Sequence, residues 1–404
     1  MTSDLIKEEE EHLPKRACPV CGGVSVRLLF HQSFEWLDGV TILDGYDVVV
    51  CRRCGAGYAD GIPPQAAFDA YYRDMSKYDE GDQDLGRDSG SERRFQDIAA
   101  IIARVVPGKN ARIFEIGCAS GGLLNAIRQC GFPNVLGSDP SPACIRSARK
   151  LYAVPGVVGT IFTVPTPAVP FDFLILTGVL EHIRDLELSV AQFHRLLENA
   201  GRVYLEVPDA SRYLSNADAP FQEFSIEHIN FFSQVSLINL MEMRGFRVLE
   251  TGHALRSQHE IICPCTYGVF EKSTQPPAWK KDTETEVGLR AYIDGCRAED
   301  ARIRSIIRQR LGIGERMIVW GAGTHTLRLL ATGGLDPSTI ALFVDSNPQY
   351  QGKQLCGIQI VSPDKLGNRL EPILISSRGF QHEIRNRIQH QLLRKNPVIV
   401  LYDS

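Results

Sequence analysis

One segment constrains the fold more than any other: an apolar strand, Ile113 to Ile116, runs into the glycine-containing turn Gly117-Cys-Ala-Ser-Gly121. A helical stretch follows, and a second strand from Val135 ends at Asp139. Strand, glycine turn, helix, strand and acid in this order are typical of a nucleoside-binding unit. The spacing Glu-x-Gly-x-x-x-Gly differs from the Gly-x-Gly-x-x-Gly of dinucleotide sites, whose glycines hold a pyrophosphate. The segment therefore predicts an α/β unit for a nucleoside without a pyrophosphate.

The turn also offers groups suited to a cofactor that carries an amino-acid tail. The two glycines would let a bulky, neutral group lie against the backbone, Glu115 suits an ammonium group and Asp139 suits a ribose diol. The alternative is that the glycines provide only positive φ and close helix–strand packing. The predicted cofactor-binding residues are Glu115, Gly117, Cys118, Gly121, Asp139 and Thr177.

Length and charge limit the classes of protein to consider. A chain of 404 residues is long for one core, so two or three domains are expected. A net charge of -4 provides no positive field for nucleic acid or an acidic membrane. No run approaches the roughly 18 apolar residues of a membrane-spanning helix. We therefore expect no nucleic-acid or membrane partner, and a monomer or small homo-oligomer.

The first residues and the cysteines indicate the compartment. Residues 1–16 are acidic and lack an apolar centre, so we expect a disordered tail rather than a signal peptide. Of the 11 cysteines, four form two close pairs and the others are scattered through apolar elements. This distribution favours a reducing, cytoplasmic location over a disulfide framework.

The two cysteine pairs predict a metal site. Cys18 and Cys21, and likewise Cys51 and Cys54, are spaced as Cys-x-x-Cys and followed by glycine, with strand-like runs between the pairs. Four thiolates in two tight turns suit tetrahedral zinc. Thioredoxin-like redox chemistry and chance are the alternatives. Because four cysteines close the coordination shell, we expect the zinc to be structural.

Strands and helices alternate after a polar bridge and a helix from Ser91 to Val105. This alternation predicts a parallel sheet covered by helices on both faces. The last two strands have no helix between them, which predicts an antiparallel hairpin at the sheet edge. The predicted strands are Ile113–Ile116, Val135–Ser138, Phe171–Leu176, Arg202–Val207, Phe246–Thr251 and Glu260–Phe270.

A second α/β unit follows a linker over residues 272–284 and a long helix from Glu286 to Leu311. Its first strand leads into Gly321-Ala-Gly323, and its second, Ile340–Val344, ends at Asp345. The predicted division is 1–16 tail, 17–80 zinc module and bridge, 81–271 cofactor domain, 272–284 linker and 285–404 Rossmann-like domain.

Two histidine segments follow strands of the cofactor domain, where ligands of open α/β sheets bind. The strand from Phe171 would deliver Glu181 and His182 to that edge, opening the next helix. Alternatively, Glu181 caps this helix and His182 has no chemical role.

The second segment places Glu227 and His228 among aromatic residues, which supplies an imidazole in a partly dry pocket. Glu227 need not bond His228, because neighbouring residues point apart, and could hold a substrate hydroxyl. The alternative is an N-cap and core aromatics before a helix. Tyr71, Tyr72 and Tyr78 could close over a ligand, although such residues more often serve packing or the surface.

Together these motifs resemble one family. Paired cysteines, the cofactor turn, Val-Leu-Glu-His and Glu-His-x-x-Phe-Phe-Ser, and a C-terminal Gly-Ala-Gly with Val-Asp-Ser-Asn-Pro are similar, in this order, to the nucleotide-sugar C-methyltransferases. The resemblance spans Cys18 to the C-terminus and implies two cofactors, S-adenosylmethionine (SAM) and structural Zn²⁺. It implies a class I SAM-methyltransferase Rossmann-like core, a small N-terminal zinc-binding module and a C-terminal Rossmann-like domain.

The resemblance also implies roles for individual residues. His228 matches the proposed base that takes a proton from the carbon beside the keto group of a dTDP-linked deoxysugar. His182 matches a histidine proposed to hold the enolate oxygen, and the C-terminal domain matches one that helps to hold the nucleotide. The implied catalytic residues are His228, Glu227, His182 and Tyr78, and the implied zinc ligands are Cys18, Cys21, Cys51 and Cys54.

The chain departs from the family pattern at two places. Ser225-Ile226 stands where better-known members have Tyr-His, and the bridge tyrosine that reaches the site is assigned to Tyr78 rather than Tyr72. The sugar and the carbon that is methylated therefore stay open.

Other functions also stay open. One is an O- or N-methyltransferase for another small molecule or a polysaccharide precursor. Another is an oxidoreductase with a nicotinamide cofactor at Gly321-Ala-Gly323, although the third glycine of that fingerprint is absent. A third is a zinc-organised scaffold without activity.

Overall fold

The computed structural model describes residues 13–74, 89–215, 218–258, 261–311 and 314–402. The strands are β1 (Val26–Ser33), β2 (Gly45–Cys51), β3 (Gly57–Asp60), β4 (Ile113–Ile116), β5 (Val135–Asp139), β6 (Gly156–Val158), β7 (Phe171–Thr177), β8 (Leu197–Pro208), β9 (Asn230–Phe231), β10 (Phe246–Gln258), β11 (Ile261–Lys272), β12 (Met317–Trp320), β13 (Ile340–Val344), β14 (Gln354–Leu355), β15 (Ile358–Val361), β16 (Ile373–Ile375) and β17 (Val398–Val400). The helices are α1 (Gln65–Asp74), α2 (Ser89–Val105), α3 (Gly122–Gln129), α4 (Pro142–Tyr152), α5 (Leu186–Leu196), α6 (Gln234–Glu242), α7 (Glu284–Arg310), α8 (Thr324–Arg328) and α9 (Gln381–Asn386).

The central sheet has seven strands among the described residues, in the order β10-β11-β8-β7-β4-β5-β6. Strands β6, β5, β4, β7 and β8 are parallel, and β11 is antiparallel to both β8 and β10. The expected parallel sheet and edge hairpin are therefore confirmed. The short β6 was not predicted from the sequence, because Gly156–Val158 is too brief to show a period.

The carboxyl ends of the parallel strands meet at one edge, which positions the site. The first core strand, β4, is fully buried and pairs with β5 and β7. Helix α2 packs against α3, where Phe95 lies so close to Gly122 that a Cβ there would be 2.4 Å from its ring. The cofactor turn, the end of β7 and the start of α2 therefore share one edge of the sheet.

A second sheet joins the N-terminal module to the cofactor domain. Strands β1 and β2 correspond to the two strand-like runs expected between the cysteine pairs, and with β3 they form an antiparallel meander. Strand β9 lies some 170 residues later in the chain and is nevertheless the fourth strand, with Phe231 opposite Gly57. The segment directly after His228 is thus part of the module's sheet.

The C-terminal unit has its own sheet, in the order β14-β15-β13-β12-β16-β17, parallel apart from β14. The long helix α7, expected from Glu286 to Leu311, spans Glu284–Arg310 and packs against the 3-10 helix Ala210–Ser215 of the cofactor domain. This confirms a second α/β unit after the linker.

Two expectations are wrong in detail. Glu181 and His182 do not open a helix; they lie in a separate 3-10 turn, Leu180–His182, and α5 begins at Leu186. Arg16, assigned to a disordered tail, is ordered: it donates to the carbonyls of Ala59, Arg184 and Ile229.

No helix in the described parts of the chain combines the length and apolarity needed to cross a bilayer.

Candidate active site

The cofactor turn between β4 and α3 adopts a left-handed backbone conformation at both of its glycines. Gly117 has φ 77° and Gly121 has φ 80°, a region that residues with a side chain rarely adopt. A Cβ on Gly117 would lie 2.6 Å from Val179, and one on Gly121 would lie 3.0 Å from Ala148. Both the conformation and the packing therefore require glycine at these positions.

Asp139 shapes this turn. One of its carboxylate oxygens accepts the amide of Ala119 at 3.0 Å, and the other accepts the amide of Ser141 at 2.9 Å. Burial raises its pKa despite these bonds. The acid therefore links the turn to the end of β5, where the ribose was expected.

Glu115 lies beneath the turn and is almost completely buried. Its Oε2 has no hydrogen-bond partner among the described residues. Burial, only partly offset by the charge of Arg94, raises the pKa of this carboxyl to about 8. A cation such as the expected ammonium group would satisfy Glu115.

The other two predicted cofactor residues are close by. Cys118 packs against Gly137 of β5, where an added Cβ would lie 2.5 Å from its sulfur. Thr177 is the last residue of β7 and pairs with Glu206 of β8. The structure thus gathers all six predicted cofactor residues at one edge of the sheet.

His182 lies over this edge on its 3-10 turn. Its Nδ1 is 2.9 Å from the hydroxyl of Tyr72 and 3.1 Å from the carbonyl oxygen of Glu227. The two contacts belong to different tautomers, because the carbonyl can only accept and therefore bonds a protonated Nδ1. When Tyr72 instead donates to Nδ1, the imidazole proton is on Nε2, which is then able to donate to an oxyanion. That Nε2 lies 3.9 Å from Oε1 of Glu181.

His228 lies beside His182, with ring centroids 5.0 Å apart. Its Nδ1 is 3.3 Å from Oε2 of Glu223, an ion-pair distance without hydrogen-bond alignment. Burial by itself lowers the pKa of His228, but the carboxylates of Glu223, Glu181 and Glu227 together outweigh burial, so the pKa is raised. His228 is thus an imidazole with a carboxylate at its Nδ1, an arrangement suited to a general base.

Glu181 and Glu227 complete the polar surroundings. Oε1 of Glu227 accepts the hydroxyl of Tyr71 at 3.0 Å, whereas the carboxylate at Nδ1 of His228 is that of Glu223. Glu181 is buried, its Oε2 has no hydrogen-bond partner in the described regions, and burial raises its pKa to about 7.

Asn230 and Arg16 fix the two histidine loops to each other. The side-chain amide of Asn230 donates to the carbonyls of Leu180 and Ile183, on either side of His182. Arg16 donates to the carbonyl of Ile229, whose amide donates to the carbonyl of Glu181. The relative placement of the two imidazoles therefore depends on the N-terminal module.

The four predicted metal ligands, Cys18, Cys21, Cys51 and Cys54, converge. Their sulfurs all lie within 4.8 Å of one another, and the Cys18–Cys54 and Cys21–Cys51 pairs are each 3.6 Å apart. Tetrahedral zinc with bonds of about 2.3 Å separates its sulfurs by about 3.8 Å, whereas a disulfide needs about 2.05 Å. The cluster fits zinc, and it lies outside the histidine site.

Asp282, in the linker before α7, attaches this metal cluster to the rest of the chain. Its amide donates to the carbonyl of Cys54, and its carboxylate accepts the hydroxyls of Ser233 and Thr285, each at 2.6 Å. One buried acid thus ties the second cysteine knuckle to the start of α6 and of α7.

The C-terminal unit repeats the geometry of the cofactor turn. The carboxylate of Asp345 accepts the amide of Ala322 at 2.7 Å and that of Asn347 at 2.8 Å, matching the two bonds of Asp139. Burial, together with Glu227 and Tyr350, raises the pKa of Tyr71. Tyr350, in the loop that follows β13, packs against the hydrophobic cluster to which Tyr71 belongs.

Sequence reasoning placed some site residues and missed others. Tyr78 lies outside the described residues, so its role stays a prediction, whereas Tyr72, the tyrosine not chosen, is bonded to His182. Glu223 was not assigned a role, because its contact with His228 spans a loop whose shape the pattern does not reveal. The position of Glu223 between Phe221 and Phe224 was the one sequence signal that could have indicated a buried, functional carboxylate.

Comparisons with known proteins agree with this geometry. Residues 91–251 match a family model described as a methyltransferase domain, and residues 313–399 match one described as C2185-like, N-terminal. The C-methyltransferase NovU of Streptomyces niveus is 28% identical over 341 residues, 79% of this chain and 76% of NovU. The uncharacterized methyltransferase OB1106 of Oceanobacillus iheyensis is 29% identical over 127 residues, 30% of this chain and 58% of that protein.

Among solved structures, magnesium protoporphyrin IX methyltransferase (ChlM) from Synechocystis PCC 6803 with bound SAH aligns at a TM-score of 0.37. It is 16% identical, and the alignment covers 52% of this chain and 98% of that one.

The fold, the cofactor turn and the matched domain define an enzyme class: this protein is a SAM-dependent methyltransferase. The class I Rossmann-like core carries that activity. NovU, which aligns over most of both chains, is named a C-methyltransferase.

Proposed function

We propose that this enzyme is a C-methyltransferase that deprotonates the carbon beside the keto group of a nucleotide-linked, dTDP-type deoxysugar and methylates that carbon. The proposal rests chiefly on one observation, the pair of imidazoles in the site. One is backed by a carboxylate, and the other is held by a tyrosine, with ring centroids 5.0 Å apart.

The two imidazoles suit the two tasks that this reaction sets. His228, with its pKa raised by Glu223, removes the proton, and the electrons of the C–H bond move towards the keto oxygen. His182, oriented by Tyr72, donates from Nε2 to that oxygen and stabilises the enolate. SAM, when bound at the turn around Gly117, would supply the electrophilic methyl group for that carbon, with cleavage of the S–CH₃ bond and S-adenosylhomocysteine (SAH) as the leaving group.

The surrounding groups suit a polyhydroxylated acceptor. Tyr71 and Glu227 form a hydrogen-bonded pair able to bind a sugar hydroxyl. In the C-terminal unit, Asp345 and the turn at Ala322 have the geometry of the nucleoside site, which suits the nucleotide portion. The name of NovU supports carbon as the methylated atom.

The cysteine cluster supports a structural role for zinc. Its four sulfurs would complete a tetrahedral shell, and its protein neighbours are backbone groups and the linker rather than the histidines. We propose that the ion holds the N-terminal module together.

Solvent exchange tests the reaction class. The enzyme is incubated in D₂O with SAH and a dTDP-linked 4-keto sugar, and proton NMR follows the carbons beside the ketone. We expect deuterium to enter at one carbon, and His228→Asn to abolish this. An O- or N-methyltransferase has no reason to exchange a carbon-bound proton, so an enzyme that transfers methyl from SAM to this sugar but shows no exchange with SAH would contradict the proposal.

A further inference from the structure

Arg94, on α2, lies beside the cofactor turn and was not among the predicted site residues. The next residue, Phe95, packs against Gly122 at the start of α3. The guanidinium Nη2 is 3.7 Å from Oε1 of Glu206, at the carboxyl end of β8. Its charge also opposes the burial that raises the pKa of Glu115. Arg94 therefore lies among the strand ends that hold the cofactor.

Glu206 does not account for this arginine. Arg256 already bonds both oxygens of that carboxylate, with its Nε at 3.0 and 3.1 Å and its Nη2 at 2.5 Å, and Tyr204 donates a fourth hydrogen bond at 2.8 Å. The Nε of Arg94 is buried and has no hydrogen-bond partner among the described residues. A buried donor without a partner is unfavourable, particularly on a charged group.

Glu115, at the end of β4, has a buried acceptor, its Oε2, without a partner in the described regions, whereas Arg94 has a buried donor without one. The site thus offers one cationic donor, on Arg94, and one anionic acceptor, on Glu115, that could each bind a ligand group of opposite charge. The methionyl end of SAM is a zwitterion, with one carboxylate and one ammonium group, and has the complementary charges.

We propose that Arg94 binds the carboxylate of the methionyl group of SAM, opposite the ammonium group that Glu115 takes. Arginine suits this task because its planar fork matches a carboxylate. The proposal concerns the cofactor and is independent of the acceptor. It makes Arg94 the residue that distinguishes SAM and SAH from adenosyl thioethers that lack the carboxylate.

Calorimetric titration of the full-length protein with SAH and with decarboxylated SAH tests this directly. We expect the wild type to bind SAH more tightly. In Arg94→Met, SAH affinity should fall about 10- to 100-fold, the usual contribution of a hydrogen bond to a charged group, while the affinity for the decarboxylated ligand stays within about 2-fold. The preference for SAH would then be lost. Arg93→Met is the matched control, because Arg93 is the exposed neighbour on the same helix.

The ratio of the two dissociation constants decides the outcome. A ratio in Arg94→Met equal to that of the wild type overturns the proposal, whether both ligands bind as before or both are weakened by a structural change. If that variant does not fold, the wild type alone still tests the idea, since equal affinity for the two ligands would contradict it.

Discussion

The amide of Ala59, in the cysteine module, donates to the carbonyl of Ile229, the residue directly after His228. The hydroxyl of Tyr46, also in the module, donates to the carbonyl of Ser225, three residues before the imidazole. The backbone of the loop that carries the proposed base is therefore hydrogen-bonded to the N-terminal module on both sides of His228.

Replacing the proposed base separates catalysis from cofactor binding. In His228→Asn we expect turnover to fall about 10²- to 10⁴-fold, the usual contribution of a general base, while SAH affinity is retained. Rate assays and calorimetry on the same preparation measure both. His382→Asn, at an exposed position on α9, is the control. Near-full activity in His228→Asn would exclude this residue as the base.

Removing the Glu223 carboxylate should alter the pH profile. Glu223 raises the pKa of His228, so Glu223→Gln lowers it, although Glu181 and Glu227 still act on the ring. A base must be neutral, so the acid limb of kcat/KM should move to lower pH while the plateau falls, because the base is weaker. Glu92→Gln, on the exposed side of α2, should leave the profile unchanged. A lower plateau without movement of the limb would indicate only a structural role for Glu223.

The hydroxyl of Tyr72 should matter through His182. In Tyr72→Phe the Nδ1 of His182 loses a partner at 2.9 Å, so control of its tautomer weakens. We expect kcat to fall about 10-fold, corresponding to roughly 1.4 kcal/mol, with little change in SAH affinity. Tyr71→Phe, which removes a bond to Glu227 instead, should affect KM for the acceptor more than kcat. The opposite pattern would assign the roles of these two tyrosines the other way round.

Cofactor binding should depend on pH through Glu115. Burial raises its pKa in the free enzyme to about 8, and an ammonium ligand favours the ionised form. Binding near pH 7 should therefore release a proton, and SAH affinity should rise between about pH 6 and 8. Calorimetry in buffers of different ionisation enthalpy measures the proton count. Glu115→Gln should bind more weakly and lose this part of the pH dependence; an unchanged proton count in that variant would contradict the assignment.

Loss of the metal should reduce turnover more than cofactor affinity. Elemental analysis should find one zinc per chain, and Cys51→Ser should reduce that content. Because β9 pairs with the cysteine module and the cofactor turn does not, turnover should fall further than SAH affinity. Cys130→Ser, at an exposed cysteine outside the cluster, is the control. Full zinc content in Cys51→Ser would exclude Cys51 as a ligand.

Local patterns predicted the cofactor turn well. Glu115, Gly117 and Asp139 lie within one β-α-β unit, so their spacing along the chain fixes their arrangement in space. The same is true of Asp345 in the C-terminal unit. Four cysteines in two identical knuckles were also recognisable, because metal ligands impose their own spacing.

Contacts between distant segments could not be predicted in this way. The pairing of Gly57 with Phe231 and the bond of Tyr72 to His182 depend on how separate units pack. Arg94 has no distinguishing pattern either, since Arg93 precedes it on the same amphipathic helix. Only the fold shows which of these two arginines faces the strand ends.

Strand β9 belongs to one domain by sequence and to another by hydrogen bonding. Exchanging the N-terminal module between related enzymes would set a foreign edge strand against Asn230 and Phe231 and displace the neighbouring base. The piece that can be transplanted intact consists of the module together with the distant loop that contains His228. Chimeras designed to change the acceptor should therefore carry both segments from the same parent.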